Sequence, residues 1–406
     1  MNGTGAMSRR RVVITGVGAV TPLGVGAGNS FKRWVAGESG IEDGLGRCDA
    51  FEATDFLSKK EVRRADRFTQ LAIAAAQEAL FQAGFEDGLT IDPERVGCIM
   101  GTGVGGVHTI EAGYDVLREK GTAGVSPQVV PMMMPNAGAG TLALRYGLQG
   151  PSHTVASACA AGADAIGTAA RLIRMGEADA IVAGGSEAAL TSLARAAFEN
   201  MGATSSSGIS RPFDARRDGI VMGEGAGVLV LEDAEIAEKR GQPVLGEVLG
   251  FGASSDAHHI TAPQPEGNGA ARAIQRALED AGLGPDDLDY VNAHGTSTPL
   301  NDRAETRALE QALGEAAKRT PVSSTKSVTG HTLGAAGAIE AALTLLALRE
   351  GMTPPTVGWE QREEGMDLDY VPAARPLKPK DGDGAVAISN AFGFGGHNAV
   401  VCLRAA

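Results

Sequence analysis

The stretch ASACAAGADAIGTAARLIRM (residues 156–175) sets Cys159 among small residues, directly before a run of helix-forming residues. The N-terminus of a helix carries about half a positive charge and free backbone N–H groups. Both favour the thiolate, which is the nucleophilic form of cysteine. The alternative is a structural cysteine packed beneath the helix, since free cysteines are among the most buried residues. Two histidines in Gly-rich segments late in the chain, His294 and His331, favour the reactive interpretation.

The rest of the chain alternates between short apolar runs and longer helix-forming runs, which predicts an α/β fold. Strands are predicted at residues 12–16, 96–100, 180–183, 290–293 and 385–389. Helices are predicted at residues 67–83, 163–175, 269–281 and 337–349.

The chain also repeats itself. An Ala-rich helix closed by Ala-Gly at 83–84, followed by a strand, matches a second helix closed by Ala-Gly at 281–282, and the two pairs lie 198 residues apart. Cys159 and its helix correspond in the same way to the loop at 325–332 and the helix after it. A repeat of this length predicts two similar halves, residues 8–250 and 251–406, with a site at their junction. Residues 104–150 match neither half and are expected to form a cap or a subunit interface.

The composition excludes several classes of protein. The formal net charge of -13 argues against general affinity for nucleic acid. The four cysteines have no CxxC spacing, so no disulfide framework is expected, and reduced thiols are typical of the cytosol. No apolar run reaches the length of about 18 residues that indicates a membrane span. Glycines break the apolar segment after Arg11, which indicates a buried strand after a disordered leader at residues 1–7 rather than a signal peptide.

Three late segments carry residues suited to catalysis. NAHGTST at 292–298 puts His294 directly after a predicted strand, at the sheet edge where ligands bind in open α/β sheets. STKSVTGHTLG at 324–334 contains Lys326 and His331, and NAFGFGGH at 390–397 is a Gly-rich loop around two phenylalanines. Cysteine and histidine can also bind zinc, but no two of the candidates have a short ligand spacing.

Taken together, these motifs resemble those of the β-ketoacyl-acyl-carrier-protein synthases. They are ACAAG at 158–162, NAHGTST at 292–298, TKSVTGH at 325–331 and NAFGFGGHN at 390–398. The resemblance extends from Val12 to Leu403 and implies the thiolase fold, five layers (αβαβα) built from two duplicated halves. It also implies an acyltransferase that joins the malonyl group of malonyl-ACP (ACP is the acyl carrier protein) to an acyl group bound to Cys159. The malonyl group loses CO2 in this condensation.

The resemblance assigns a catalytic role to five residues. Cys159 matches the acyl acceptor, and His294 and His331 complete a Cys-His-His triad whose imidazoles stabilise an enolate. The backbone N–H groups of Cys159 and Phe394 match an oxyanion hole, and the Phe394 ring matches a gate. Lys326 matches a lysine with an electrostatic and structural role.

Further residues match the family's binding sites. Thr296 and Thr298 match hydroxyls that hold the phosphopantetheine arm, and Phe392 and Gly393 belong to the substrate-binding loop. The carrier protein brings that arm, so no cofactor of the chain's own is expected. A structural Na⁺, K⁺ or Mg²⁺ ion is implied near the site, and its ligands map onto Asn292, Ala293, Glu340, Ser389 and Asn390. A plain salt bridge would explain Glu340 as well.

Docking of the acidic carrier protein is expected at a basic patch, Lys60, Arg63 and Arg64, although an ordinary solvated helix face would have the same composition. The family's second basic site is missing, because Thr-Ala-Gly stands at 122–124. The uncharged segment 204–208 is also shorter than the family's loop with an arginine. These departures favour a dedicated carrier protein or a partner subunit that supplies part of the surface.

Two pathways compete. ACAAG at 158–162 is typical of the fatty-acid elongating synthases (the synthase II type), which are homodimers. Segments at 300–306, 314–324 and 368–372 look more like the ketosynthase subunit of type II polyketide systems, which pairs with a chain-length factor. We lean towards the polyketide system, with fatty-acid elongation as the alternative. In either case we expect a cytoplasmic dimer that binds neither nucleic acid nor membrane.

Two other functions are disfavoured. A thiolase acting on coenzyme A esters would need a second cysteine in the loop at 393–397, and Cys402 lies beyond that loop in a closing apolar strand. A scaffold subunit of the chain-length-factor type would lack the nucleophile, whereas this chain has Cys159.

Overall fold

A computed structural model describes residues 9–379 and 384–406. The expected leader and the first residue of the predicted N-terminal half lie outside this part of the chain. The strands are β1 (Val12–Thr21), β2 (Gly24–Val25), β3 (Leu45–Gly46), β4 (Val96–Gly101), β5 (Ser152–Val155), β6 (Ala180–Glu187), β7 (Met222–Gly223), β8 (Gly225–Asp233), β9 (Gly246–Ser255), β10 (Tyr290–Asn292), β11 (Pro321–Ser323), β12 (Met352–Thr353), β13 (Asp369–Tyr370), β14 (Arg375–Pro376), β15 (Val386–Gly393) and β16 (His397–Ala405). The helices are α1 (Ala27–Val35), α2 (Lys59–Val62), α3 (Arg67–Gln82), α4 (Val107–Lys120), α5 (Val129–Met133), α6 (Ala137–Tyr146), α7 (Ala161–Arg174), α8 (Ser192–Asn200), α9 (Ala234–Lys239), α10 (Asn268–Ala281), α11 (Pro299–Leu313), α12 (Lys326–Thr329) and α13 (Ala336–Arg349).

Twelve of the described strands form one sheet in the order β13-β11-β10-β15-β16-β9-β1-β8-β6-β4-β5, with β2 paired to β1. The strands β5, β4, β6, β8 and β1 form the N-terminal half of this sheet, and β9, β16, β15, β10, β11 and β13 form the C-terminal half. β1 and β9 join the two halves through a short antiparallel pairing at Val13 and Ile14.

Helices cover both halves of the sheet and fill the space between them. α3 and α6 pack on the outside of the N-terminal half, and α10 and α11 on the outside of the C-terminal half. α7 and α13 lie between the two halves, and their apolar side chains form the central core. The five-layered α/β prediction is therefore confirmed.

Close backbone packing explains the sequence repeat. A Cβ atom at Gly18 in β1 would lie 2.0 Å from the carbonyl oxygen of Ala75 in α3, and one at Gly252 in β9 would lie 2.0 Å from that of Ala273 in α10. Ala75 and Ala273 are 198 positions apart, the offset of the repeat. Both outer helices therefore need a glycine in the strand beneath them, because no Cβ fits.

The central helices show the same pseudo-symmetry. A Cβ at Gly162 of α7 would lie 2.7 Å from the backbone nitrogen of Ala338, and one at Gly337 of α13 would lie 2.7 Å from that of Ala163. The reciprocal contact brings the N-termini of α7 and α13 together, and with them the two turns that precede these helices. β9 spans residue 250, and the division of the chain at that residue remains a prediction.

The predicted strands and helices all exist, with ends that differ by a few residues. The apolar segment after Arg11 is the strand β1, and all ten of its residues are buried. Residues 104–150 contain α4, α5 and α6, which leave several large apolar side chains exposed. No helix in residues 9–379 and 384–406 has the length and apolar character needed to cross a bilayer.

Candidate active site

Cys159 lies in a strained turn between β5 and α7. The turn is a one-turn helix, Ala158–Ala160, and Ala158 has a φ of 51°, in the left-handed region that non-glycine residues rarely adopt. Such backbone costs on the order of 1–3 kcal/mol and persists only where the surroundings impose it. The strained turn places Cys159 directly before the N-terminus of α7, with 7% of its surface exposed.

The end of β15 passes over this turn. A Cβ at Gly393 would lie 2.6 Å from the carbonyl oxygen of Ser157 and 3.1 Å from the backbone nitrogen of Cys159. Only glycine allows the two segments to approach so closely. The approach brings the backbone N–H of Phe394 to the Cys159 sulfur, to which it donates a hydrogen bond.

Cys159 is protonated at neutral pH. Burial raises the pKa of its thiol to about 12, and the Lys326 ammonium and the Phe394 N–H lower that pKa by less. The expectation that the helix N-terminus gives a thiolate is therefore wrong for the free protein. Desolvation of the sulfur outweighs the favourable charges around it.

His294 follows β10 and is positioned by Glu305. The backbone N–H groups of His294 and Gly295 donate to the two oxygens of the Glu305 carboxylate at 2.8 and 2.7 Å. Glu305 lies on α11, is 1% exposed, and has a pKa raised to about 7 by burial. The sequence gives no indication of a role for Glu305, because a single acid on a helix has no distinguishing pattern.

His331 follows α12 and has a fixed tautomer. The backbone N–H of Leu333 donates to its Nδ1 at 3.2 Å. A neutral imidazole whose Nδ1 accepts a hydrogen bond carries its proton on Nε2. His331 therefore presents an N–H donor at the other side of its ring.

The two imidazole rings lie against each other, with centroids 5.4 Å apart and an interplanar angle of 83°. Burial lowers both pKa values well below the usual range, and the Lys326 ammonium lowers them further. Both rings are therefore neutral at pH 7, and each has one N–H to donate. Lys326 itself is buried and forms an ion pair with Glu340, a residue of α13.

Cys159, His294 and His331 line one cavity of about 370 Å³. Its wall also contains the other residues expected to contact substrate, which are Thr296, Thr298, Phe392, Gly393 and Phe394. The hydroxyls of Thr296 and Thr298 lie 3.0 Å apart. The ring of Phe394 stacks on Phe198 of α8 at a centroid distance of 6.3 Å, a contact that the sequence did not predict.

A single pocket thus unites a thiol, two neutral imidazoles and an aromatic loop from four separate motifs. The sequence matches the family "Beta-ketoacyl synthase, N-terminal domain" over residues 9–237 and "Beta-ketoacyl synthase, C-terminal domain" over residues 245–360. The chain belongs to the β-ketoacyl synthase family.

Known proteins support this assignment along the whole chain. A relative named 3-oxoacyl-[acyl-carrier-protein] synthase 2, from Synechocystis sp., is 44% identical over 416 residues, which is 98% of this chain and 99% of the relative. The solved structure titled "The ishigamide ketosynthase/chain length factor" has a TM-score of 0.90 and 33% identity over 98% of this chain and all of the other. A type II polyketide ketosynthase solved with its acyl-carrier protein and a bound hexaketide has a TM-score of 0.87 and 31% identity with the same coverage. The fold is the thiolase fold, and the chain is an acyltransferase.

The residues expected to dock the carrier protein lie outside the cavity. Lys60 belongs to α2, and Arg63 and Arg64 follow it directly. All three side chains are exposed, as a docking surface requires, and none of them lines the cavity that contains Cys159.

The residues expected to bind a cation in this β-ketoacyl synthase lie side by side. Asn292 and Ser389 are paired across β10 and β15, and Asn292 Nδ2 donates to the backbone carbonyl of Glu340 at 3.3 Å. The described residues contain no cluster of three histidine, cysteine or acidic side chains suited to a metal. A cation here would therefore depend on amide, hydroxyl and carbonyl oxygens as well.

The loop at 256–264 forms part of the cavity wall, and no motif in the sequence predicted it. Its Ile260 carbonyl accepts from the N–H of Gly395 at 2.8 Å, and the N–H of Asp256 donates to the carbonyl of Gly396 at 2.9 Å. The loop therefore supports the segment that carries Phe394. Glu187, which the sequence also did not single out, joins the two halves of the molecule, because its carboxylate accepts from Gly103 and Gly334.

Proposed function

We propose that the chain extends an acyl group by decarboxylative Claisen condensation with malonyl-ACP. The observation that supports this most directly is the shared cavity of Cys159, His294 and His331. The two neutral imidazoles can each accept a proton and donate an N–H, which are the functions that the reaction requires of them.

In the first step the Cys159 sulfur attacks the thioester carbonyl of an acyl-ACP. The N–H groups of Cys159 and Phe394 stabilise the charge on the carbonyl oxygen. The thiol proton passes to a neutral imidazole as the C–S bond forms, and then to the departing pantetheine sulfur. A neutral histidine can accept that proton, so a thiol with a raised pKa is compatible with acyl transfer.

In the second step malonyl-ACP enters and its carboxylate leaves as CO2. The electron pair of the broken C–C bond moves into the thioester and gives an enolate, whose oxygen accepts from His294 and His331. The enolate carbon then attacks the acyl group on Cys159. The new C–C bond forms, the C–S bond to Cys159 breaks, and the sulfur regains a proton from solvent.

We propose that the acyl carrier protein docks on Lys60, Arg63 and Arg64 and that its phosphopantetheine arm passes Thr296 and Thr298. The exposed cations are complementary to an acidic carrier, and the paired hydroxyls lie on the cavity wall where the amides of the arm would pass.

We also propose a structural cation, Na⁺, K⁺ or Mg²⁺, bound by Asn292, Ala293, Glu340, Ser389 and Asn390. Three buried oxygens of this set have no hydrogen-bond partner, namely Glu340 Oε2, Ser389 Oγ and Asn390 Oδ1. Buried polar atoms are rarely left unpaired, and these cations prefer oxygen ligands. A bound cation would supply positive charge that keeps Glu340 ionised against burial, which raises its pKa to about 7.

The pathway is proposed from the sequence segments at 300–306, 314–324 and 368–372, which favour a type II polyketide system with a chain-length-factor partner. The structural likeness to ketosynthases of such systems supports it. The second candidate is fatty-acid elongation by a homodimer, which the 44% identity to 3-oxoacyl-[acyl-carrier-protein] synthase 2 favours. In both cases we propose a dimer that works in the cytoplasm.

The test is a condensation assay with purified chain, acyl-ACP and malonyl-ACP. We expect a β-ketoacyl-ACP product from wild type and none from Cys159→Ala. His294→Ala and His331→Ala should each reduce CO2 release by about 100-fold, as expected for loss of an enolate donor. Product from the Cys159→Ala variant would refute the proposal. Activity of the chain alone would identify fatty-acid elongation, and activity only with a homologous subunit that lacks the cysteine would identify the polyketide system.

A further inference from the structure

We infer that Glu187 is a positioning residue that sets the orientation of His331 for CO2 release. This inference rests on the proposed function. Glu187 ends β6, is fully buried, and touches backbone from both halves of the molecule.

The Glu187 carboxylate accepts four hydrogen bonds. On the N-terminal half, Thr102 Oγ1 donates at 3.0 Å, and the N–H groups of Gly103 and Val104 donate at 2.6 and 3.4 Å. On the C-terminal half, the N–H of Gly334 donates at 3.1 Å. The N–H groups of Gly103 and Gly334 share one carboxylate oxygen, Oε2, so an acceptor is needed at that position, whereas the Thr102 hydroxyl at Oε1 can donate or accept.

The Gly334 contact matters because it fixes a strained turn. Leu333 has a φ of 49°, which a leucine adopts only under constraint from its surroundings. The N–H of Leu333 is the group that donates to His331 Nδ1 and leaves the proton on Nε2. Glu187 therefore acts on His331 through the backbone of Leu333 and Gly334, without touching the imidazole.

The loop at 102–106, on the N-terminal half, depends less on the Glu187 carboxylate. The loop at 102–106 has bonds of its own, from Thr102 N–H to the Val155 carbonyl at 3.1 Å and from Gly105 N–H to Thr102 Oγ1 at 3.1 Å. The turn at 333–334 is closed by backbone bonds from Ala335 N–H to the Thr332 carbonyl and from Ala336 N–H to the Leu333 carbonyl, but it contains the strained Leu333. Loss of the acceptor should therefore loosen this turn first. CO2 release, which needs the His331 N–H, should be lost before acyl transfer to Cys159.

The test compares both partial reactions in Glu187→Met, which keeps the side-chain volume and removes the acceptor. We expect CO2 release from malonyl-ACP to fall by about 30-fold or more and acyl transfer to Cys159 to change by less than about threefold. Glu187→Gln, whose amide oxygen can still accept from Gly103 and Gly334, should restore CO2 release to within about threefold of wild type. If Glu187→Met does not fold, Glu187→Asp, which draws the carboxylate back by one methylene, should lower CO2 release selectively by about fivefold or more.

Glu232→Met is the matched control, because Glu232 is an equally buried acid on the neighbouring strand β8, bonded to Thr15 and Arg240. It should lower the melting temperature and leave the ratio of the two partial reactions unchanged. Equal loss of both reactions in Glu187→Met, or no recovery in Glu187→Gln, would overturn the inference. A wild-type protein that performs neither reaction would instead refute the proposed function.

Discussion

At the scale of single residues, the site works by balancing burial against local charge. Cys159 and the two histidines are all buried, and burial favours the neutral form of each. A neutral thiol is a poor nucleophile, but a neutral imidazole is both a proton acceptor and an N–H donor. Burial therefore makes the sulfur depend on one neutral imidazole beside it for activation.

The pKa of Cys159 predicts how the thiol reacts with an alkylating reagent. Well below a pKa of about 12, the thiolate fraction rises about tenfold for each pH unit. The rate of iodoacetamide addition to Cys159, followed by mass spectrometry, should therefore increase steadily from pH 7 to pH 10. A rate that levels off before about pH 10 would show the ordinary thiol pKa of about 8.5 and would contradict the account of burial.

Cys159, His294 and His331, which line one cavity, could be predicted from the sequence because each lies in a distinctive small-residue or Gly-rich segment. Glu187 and Glu305 could not, because each is a single acid at the end of a strand or on a helix. Their partners are backbone N–H groups from other segments, which no spacing in the sequence reveals.

At the scale of elements, the site depends on how closely the end of β15 crosses the turn before α7. The crossing positions the Phe394 N–H at the sulfur, and only a residue without a Cβ fits there. The sequence identified a Gly-rich loop, but the structural reason for Gly393 is contact with Ser157. That contact joins a turn and a strand that lie far apart in the chain, and it could be seen only in the fold.

Gly393→Ala should therefore move the Phe394 N–H away from Cys159. We expect acyl transfer to slow by about 100-fold, as for loss of one oxyanion donor. Gly28→Ala is the control, because a Cβ at Gly28 in α1 would meet no atom within 4 Å. Acylation by Gly393→Ala at the wild-type rate, measured by intact mass, would rule out the proposed oxyanion hole.

At the scale of the whole molecule, the duplicated halves bring the N-termini of α7 and α13 together and so create the site. The repeat of 198 residues was visible in the sequence, and the glycine contacts under α3 and α10 explain it. The segment at 104–150 lies outside the repeat and exposes Tyr114, Val130 and Leu144, and its helix α6 packs against the edge strand β5. Exposed apolar side chains beside a sheet edge are typical of a subunit interface.

Light scattering should therefore give the active species a mass about twice the 41.4 kDa of one chain. The double variant Val130→Glu and Leu144→Glu should shift the protein towards the monomer, because it places charge on the expected interface. Met175→Glu, at an equally exposed apolar residue outside this segment, should leave the mass unchanged. An active monomer would contradict the assignment of residues 104–150 to an interface.

The most direct measurement is peptide mass spectrometry of the protein after incubation with an acyl-ACP thioester and no malonyl-ACP. The account predicts one acyl adduct, on the peptide that contains Cys159, and transfer of that acyl group to product when malonyl-ACP is added. An adduct on Cys48, Cys98 or Cys402 instead, or an adduct on Cys159 that malonyl-ACP leaves in place, would contradict it.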